Sequence, residues 1–164
     1  MTDVRKLIDQ SRISPLQYGV IAMCVLLNML DGMDVLVISF AAPVLGKEWG
    51  IMPEALGIVF SSALLGMAIG AGFIAPWGDR IGRRKMVILC LGIIGSGILL
   101  TAAAQSILQL IVLRFISGAG IGAMLATTAT VAAEFSPDRR RNLMVSIVMS
   151  GYPIGATLSG LVAA

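Results

Sequence analysis

The chain has 164 residues and a net charge of +3, but only 13% of its residues are charged and none is histidine. Soluble globular domains carry about 25% charged residues, so this composition excludes an ordinary water-soluble domain. The lack of histidine excludes catalytic triads and histidine metal sites, and any proton handling must rest on carboxylates. Basic patches interleaved with aromatic residues are also missing, so we expect no nucleic-acid partner and no cofactor.

The charged residues cluster in short segments between long apolar runs, which is typical of an all-α, polytopic membrane protein. After a polar lead-in at residues 1–16, we predict transmembrane helices at about 17–45, 55–77, 86–104, 107–133 and 143–164. Pro53 marks the start of the second helix, and Pro153 should kink the fifth. Cys24 and Cys90 fall inside apolar runs, where we expect buried, unbridged side chains. Five helices without a polar tail suggest a part of a longer protein.

The distribution of basic residues predicts how the chain is oriented in a bilayer, because Lys and Arg favour cytoplasmic loops. Ten of the twelve basic residues fall on one side of the predicted helices: Arg5, Lys6, Arg12, Arg80, Arg83, Arg84, Lys85, Arg139, Arg140 and Arg141. Lys47 falls on the other side, and Arg114 lies inside the fourth helix. We therefore predict a multi-pass protein of the inner (plasma) membrane with a cytoplasmic amino terminus.

Two acidic residues interrupt the first apolar segment. Asp31 and Asp34 stand three residues apart, so they share one face of the helix. A carboxylate at the bilayer centre costs about 2.5–3.5 kcal/mol on insertion scales, so both should face a cavity or an intramembrane partner. Gly32 between them offers a closely approached backbone. The alternative is that one aspartate, Asp34 in particular, is a structural residue near the outer interface.

Arg114 is the natural intramembrane partner of these aspartates, because it is the only basic residue inside a predicted helix. Two carboxylates facing one guanidinium leave one negative charge unmatched. A proton, or an anionic substrate competing for Arg114, would settle that charge. The arrangement suits a proton-coupled carrier of organic anions, whereas the alternative is a salt bridge that only positions the helix.

The segment between the second and third helices is strongly basic and ordered in a specific way. Asp79 opens it, Gly82 provides a turn, and four cations follow or flank that turn: Arg80, Arg83, Arg84 and Lys85. We interpret the segment as a cytoplasmic gate, with Glu134 at the exit of the fourth helix as partner for Arg83 or Arg84. The alternative is a generic basic cluster that only fixes topology.

Glycine spacing predicts where helices approach one another. Pairs four residues apart occur in the second, fourth and fifth helices: Gly66 and Gly70, Gly118 and Gly122, and Gly151 and Gly155. Such pairs form grooves that let neighbouring backbones come close. We therefore expect them at helix–helix contacts.

Several of these strings resemble the major facilitator superfamily. The run Asp79-Arg80-Ile81-Gly82-Arg83-Arg84-Lys85 looks like its signature between helices two and three, although Ala75 stands where the family often has Gly. Arg114 with Gly118, Gly120 and Gly122 looks like its helix-four signature. The resemblance covers the whole chain and corresponds to the first five of twelve helices.

A finer resemblance is to the aromatic acid:proton symporters. It rests on Leu30-Asp31-Gly32-Met33-Asp34, on Ala41-Ala42-Pro43, on Lys47-Glu48-Trp49-Gly50-Ile51, and on Ala133-Glu134-Phe135-Ser136-Pro137 with its three arginines. It implies import of benzoate-like or hydroxybenzoate-like acids by alternating access. The partners it implies are a small organic acid, a proton, the bilayer and a missing carboxy-terminal half.

The same resemblance assigns roles to the residues singled out above. Asp31 and Asp34 would serve proton coupling or substrate binding, and Arg114 would contact the substrate carboxylate or an aspartate. Asp79, Arg83 and Arg84 would take part in gating. Three other functions stay open: a sugar or metabolite carrier of the same superfamily, a non-transporting membrane scaffold if the chain ends at residue 164, and an enzyme. The enzyme is least favoured because an intramembrane aspartyl protease would need Gly-x-Gly-Asp, which Asp79 lacks.

Overall fold

The computed structural model of the chain describes residues 14–49 and 53–163, with only the backbone described at 37, 38, 41–49, 53 and 163. Its helices are α1 (Pro15–Trp49), α2 (Pro53–Ile69), α3 (Trp77–Ile81), α4 (Arg83–Ala102), α5 (Ile107–Glu134) and α6 (Arg141–Ala163). A π-helical segment, Gly70–Ile74, continues α2, and a 3-10 turn, Asp138–Arg140, precedes α6. Within the described residues there is no strand, and five helices are long and apolar enough to cross a membrane. These findings confirm the all-α, multi-pass fold class.

Helix α1 begins where the sequence supplies a capping box. The Leu16 amide donates a hydrogen bond to Ser14 Oγ at 3.3 Å, and the Ser14 amide donates to Gln17 Oε1 at 2.7 Å. Pro15 occupies the first helical position, where its missing N–H costs nothing. Backbone groups that a helix end leaves without partners are thereby satisfied before the chain becomes apolar.

The start of α5 is capped in the same way. The backbone N–H of Gln109 donates a hydrogen bond to Ser106 Oγ at 3.3 Å, and the backbone N–H of Gln105 donates one to Gln109 Oε1 at 2.9 Å. This explains why the very short turn predicted around Gln105 and Ser106 suffices to reverse the chain: its side chains satisfy the first amides of the new helix.

Two helix boundaries differ from those that the sequence predicted. Helix α1 continues past the predicted end near residue 45 to Trp49, because Lys47 and Glu48 are good helix formers. The basic segment after α2 is not an open loop, since α3 begins at Trp77 and α4 already begins at Arg83. Residues 1–13 of the predicted polar lead-in lie outside the described residues.

The chain falls into two compact units, and each is described by itself. Unit one is built from residues 1–37 and 128–164, and unit two from residues 38–127. In unit one, a core of buried residues joins α1, the end of α5 and the start of α6: Ile21, Cys24, Val131, Ala132, Met144 and Val148. In unit two, Val59 of α2 packs with Leu110 of α5 in a smaller core.

Within unit one, glycines bring the backbones of α1 and α6 together. A Cβ on Gly155 would lie 2.0 Å from the Met29 carbonyl oxygen, and one on Gly151 would lie 2.7 Å from that of Val25. A Cβ on Gly32 would lie 2.0 Å from the Tyr152 carbonyl oxygen. No side chain larger than hydrogen fits at these contacts.

Within unit two, glycines join α2 and α5 in the same manner. A Cβ on Gly118 would lie 2.3 Å from the Ala63 carbonyl oxygen, and one on Gly122 would lie 2.0 Å from that of Met67. In the opposite direction, Gly66 and Gly70 face the backbone of α5 at similarly short distances. The predicted role of all three glycine pairs at helix contacts is therefore confirmed.

Candidate functional site

The buried face of α1 carries polar groups as well as apolar ones. Its buried residues follow a spacing of four and three that defines a single stripe: Gln17, Ile21, Cys24, Asn28 and Asp31. Residues at this spacing lie one above another on a helix. The stripe thus carries Asp31 into the interior of the molecule, together with the packing residues of unit one.

Asp31 is only 3% exposed, and Asp34 is half-buried beside it on the same helix. The two carboxylates are close enough to interact electrostatically. The Oδ2 atom of Asp31 is buried and has no hydrogen-bond partner in the described part of the chain. A buried carboxylate oxygen without a partner is costly. This atom can therefore take up a proton or accept a hydrogen bond.

Tyr152 of α6 is a member of this site that sequence reasoning missed. Its carbonyl lies against Gly32, between the two aspartates, and its phenol is within electrostatic range of both Asp31 and Asp34. The sequence offered a partial signal, because Tyr152 lies in the Gly151–Gly155 pair and precedes Pro153. Which helix that pair faces was not predictable from spacing alone.

Sequence reasoning also missed Asn28, whose side chain is fully buried. The sequence did show a signal, because an asparagine inside an apolar run is unusual. Its Nδ2 donates a hydrogen bond to the Val148 carbonyl at 2.9 Å, and its Oδ1 accepts one from Thr128 Oγ1 at 2.9 Å. The amide therefore ties α1 to both α5 and α6 within unit one. Such an arrangement fixes the helix face on which Asp31 lies, one turn further along.

Arg114 lies on α5 in unit two and is only 6% exposed. Its neighbour Ser117 donates a hydrogen bond to the Arg114 carbonyl at 3.3 Å and lies against Gly97 of α4. A buried guanidinium requires polar surroundings. Because the aspartates belong to unit one, the predicted pairing of Arg114 with Asp31 or Asp34 stays a prediction.

The basic motif forms a compact helix–glycine–helix structure in unit two. Asp79 lies in the first turn of α3, and its Oδ1 pairs with a guanidinium nitrogen of Arg83 at 2.5 Å. The Arg83 side chain also lies 3.4 Å from where a Cβ on the buried Gly78 would be, which is an ordinary van der Waals distance. Gly82 joins the two helices with φ of 94° and ψ of 141°. The predicted glycine turn is confirmed.

The other charged residues of the motif are exposed. Arg80, Arg84 and Lys85 all face outward, and so does Glu134 at the end of α5. The predicted pairing of Glu134 with Arg83 or Arg84 would join the two units and stays a prediction. What the structure does bring together is Asp79 and Arg83.

Two classes of chemistry can be addressed directly from the described residues. Cys24 and Cys90 are both buried and neither forms a disulfide, as predicted. Among the residues with described placement, no group of three or more Cys, Asp or Glu side chains could hold a metal ion.

Comparisons with known proteins give one matching family profile and several similar curated proteins. The profile described as Major Facilitator Superfamily matches residues 24–164. The chain is 37% identical over 162 residues to a 4-hydroxybenzoate transporter of Pseudomonas putida, covering 99% of this chain and 36% of that protein. It is 36% identical over 162 residues to a gallate transporter of the same organism, with the same 99% and 36% coverage.

A third relative is the benzoate transport protein of Acinetobacter baylyi, 32% identical over 158 residues that cover 93% of this chain and 34% of that protein. The chain therefore spans about a third of the length of the curated relatives that it matches. These relatives are transporters and not enzymes, in agreement with the prediction that this chain is not an enzyme.

Proposed function

The chain belongs to the major facilitator superfamily, and from that membership we propose that it forms part of a proton-coupled symporter that imports small aromatic acids. The observation that carries the proposal is the similarity, over 99% of the chain, to transporters of 4-hydroxybenzoate and gallate. The buried carboxylate of Asp31 supports it, because a proton-coupled carrier needs a titratable group shielded from bulk water, and this chain contains no histidine.

In the proposed mechanism Asp31 and Asp34 take up the coupling proton. Both are carboxylates on one helix, and a proton bound to either one removes the repulsion between two like charges. Arg114 contributes the positive charge that the substrate carboxylate needs, since a guanidinium binds a carboxylate through two parallel hydrogen bonds. A cycle that moved one proton with one monovalent substrate anion would transfer no net charge across the membrane.

We also propose that the basic motif acts as a gate on the cytoplasmic side of an inner (plasma) membrane, with the amino terminus in the cytoplasm. Asp79 and Arg83 hold α3 against α4, and Gly82 permits the sharp change of direction between them. Arg80, Arg84 and Glu134 are exposed charges that can pair with other helix ends in one state of the transporter and part in the other.

The test is uptake by the full-length product of the gene, reconstituted in liposomes with an imposed pH gradient. We expect accumulation of labelled 4-hydroxybenzoate that rises when the outside is acidified, with a panel of benzoate, gallate and glucose defining the substrate class. In Asp31→Asn the accumulation should fall at least about tenfold, because a lost charge-assisted interaction costs about 1.5–3 kcal/mol.

The matched control is Asp138→Asn, which makes the same chemical change in an exposed carboxylate of the 3-10 turn, paired with Arg141 at the start of α6. It should accumulate substrate within about twofold of the unchanged protein, because exposed ion pairs contribute little. Undiminished, still pH-driven accumulation in both Asp31→Asn and Asp34→Asn would contradict the proposed proton role. Uptake of glucose but not of aromatic acids would contradict the substrate class.

A further inference from the structure

We infer that Tyr152 is a positioning residue for proton coupling, whose hydroxyl turns during transport to donate a hydrogen bond to the ionised Asp31 carboxylate and to accept one after that carboxylate is protonated. The inference rests on the proposed function and adds to it a residue from a second helix. It assigns to α6 a part in the proton site that the two aspartates of α1 would otherwise form alone.

The first step in the argument is geometric. Helices α1 and α6 touch backbone to backbone at Gly32, where a Cβ would lie 2.0 Å from the Tyr152 carbonyl oxygen and 3.1 Å from the Ala156 nitrogen. Tyr152 is thus held beside the residue that separates Asp31 from Asp34. Gly151 and Gly155 bring the same two helices together at Val25 and Met29, about two turns and one turn before Gly32 on α1, so the helix pair stays in contact along this stretch.

The second step concerns the groups that surround the carboxylates in unit one. On α1 they are Asp34 and Asn28, and the amide of Asn28 is engaged by Val148 and Thr128. Helix α6 contributes Tyr152, which lies within electrostatic range of both carboxylates. The part of α5 in this unit contributes the hydroxyl of Thr128, which is directed to Asn28, and its Glu134 is exposed.

The third step is chemical. The Oδ2 atom of Asp31 is buried and without a hydrogen-bond partner in the part of the chain described. A phenol is both donor and acceptor, so it can satisfy a carboxylate in either protonation state by rotating its O–H bond. When Asp31 takes up a proton, the new carboxyl O–H becomes the donor and the phenol oxygen the acceptor. The only covalent change is the formation of the O–H bond of the Asp31 carboxyl group.

The experiment removes only the hydroxyl, in Tyr152→Phe of the full-length protein, and measures two reactions in liposomes. Net uptake driven by a pH gradient requires the site to bind and release a proton in each cycle. Exchange of labelled for unlabelled 4-hydroxybenzoate across the same membrane requires no net proton movement. We expect net uptake to fall about tenfold and exchange to stay within about twofold.

The matched control is Tyr18→Phe, because Tyr18 is the only other tyrosine in this sequence and is 53% exposed near the start of α1. It should leave both reactions unchanged. Equal rates for Tyr152→Phe and the unchanged protein in net uptake would overturn the inference. So would a parallel loss of uptake and exchange, which is the result expected of a residue with only a structural role.

Failure of the proposed function gives a different result from failure of this inference. If the unchanged full-length protein shows no uptake driven by a pH gradient, the symport proposal fails and the role of Tyr152 fails with it. If the unchanged protein transports as proposed and Tyr152→Phe behaves identically, only the role of Tyr152 is refuted.

Discussion

Two polar residues on the buried stripe of α1, Asn28 and Asp31, are satisfied very differently. Both ends of the Asn28 amide form hydrogen bonds, whereas Oδ2 of Asp31 has no partner among the residues described. A satisfied buried amide stabilises a specific arrangement of helices, and an unsatisfied buried oxygen costs about 1–3 kcal/mol. This difference fits a structural role for Asn28 and the proposed proton-coupling role for Asp31, although the two lie only three residues apart.

Gly82 permits a prediction at the scale of a single residue. Its φ of 94° and ψ of 141° lie in a region that residues with a Cβ rarely adopt, yet nothing lies within 4 Å of where a Cβ would be. Gly82→Ala should therefore destabilise the protein purely through backbone strain, by about 1–3 kcal/mol. The expected result is a lower Tm of the purified protein in detergent, measured by thermal unfolding.

Gly92→Ala supplies the control for this measurement. Gly92 lies in the interior of α4, and a Cβ there would also meet nothing within 4 Å. Alanine favours helix over glycine by about 0.5–1 kcal/mol, so the Tm should stay or rise. An equal loss of stability in both variants would show that the backbone at Gly82 is not the cause.

At the scale of helices, backbone contact at glycines joins one pair of helices in each unit. Helices α1 and α6 meet at Gly32, Gly151 and Gly155, while a separate set of glycines joins α2 to α5. Without a hydrophobic driving force between helices in lipid, close backbone approach provides the packing energy. Each pair should therefore keep its internal geometry while the transporter changes state.

Gly155→Ala tests the contact between α1 and α6. A Cβ there would lie 2.0 Å from the Met29 carbonyl oxygen, and a backbone atom cannot turn aside as a side chain can. The helices would have to separate, at a cost of about 1–3 kcal/mol, typical of overpacking. We expect reduced yield of folded protein and a lower Tm than in the unchanged protein.

Gly95→Ala is the comparison for this variant, because Gly95 of α4 has nothing within 4 Å of its Cβ position. That substitution should preserve both yield and Tm. If Gly155→Ala proved as stable as Gly95→Ala, α1 and α6 could not be in backbone contact at this point.

For the molecule as a whole, the central question is its orientation in the membrane. The chain matches the superfamily profile over residues 24–164 and has five helices able to span a bilayer among its described residues. It is therefore a multi-pass membrane protein. The distribution of basic residues predicts that the turn at Gln105 faces outward and that Arg139 faces the cytoplasm.

Cysteine labelling checks this orientation. In a background with Cys24→Ala and Cys90→Ala, which removes the two buried thiols, single variants Gln105→Cys and Arg139→Cys would each present an exposed thiol. A membrane-impermeant maleimide should label Gln105→Cys in intact cells and Arg139→Cys only after the cells are opened. The reverse pattern would contradict the predicted topology and the proposal that the basic motif is a cytoplasmic gate.

The sequence by itself determined the features that depend on local chemistry. The length and apolar composition of the hydrophobic runs predicted five membrane-spanning helices. The reason is that the hydrocarbon core of a bilayer admits only segments that are apolar and hydrogen-bonded within themselves. The positions of Asp31 and Asp34 within one run, of Gly82 at a turn, and of glycine pairs at helix contacts followed from spacing alone. Two motifs, the run from Asp79 to Lys85 and Arg114 with its following glycines, indicated the superfamily. The comparisons confirmed that family.

The tertiary structure alone decided which helices those faces meet. Spacing shows that Gly151 and Gly155 form a groove, but only the folded chain places α1 in it and so brings Tyr152 to the aspartates. Likewise, the side-chain amide of Asn28 forms hydrogen bonds with Thr128 of α5 and Val148 of α6, which lie 100 and 120 residues away in the sequence. The physical reason is that packing between helices depends on how several faces fit at once, whereas periodicity reports each helix separately.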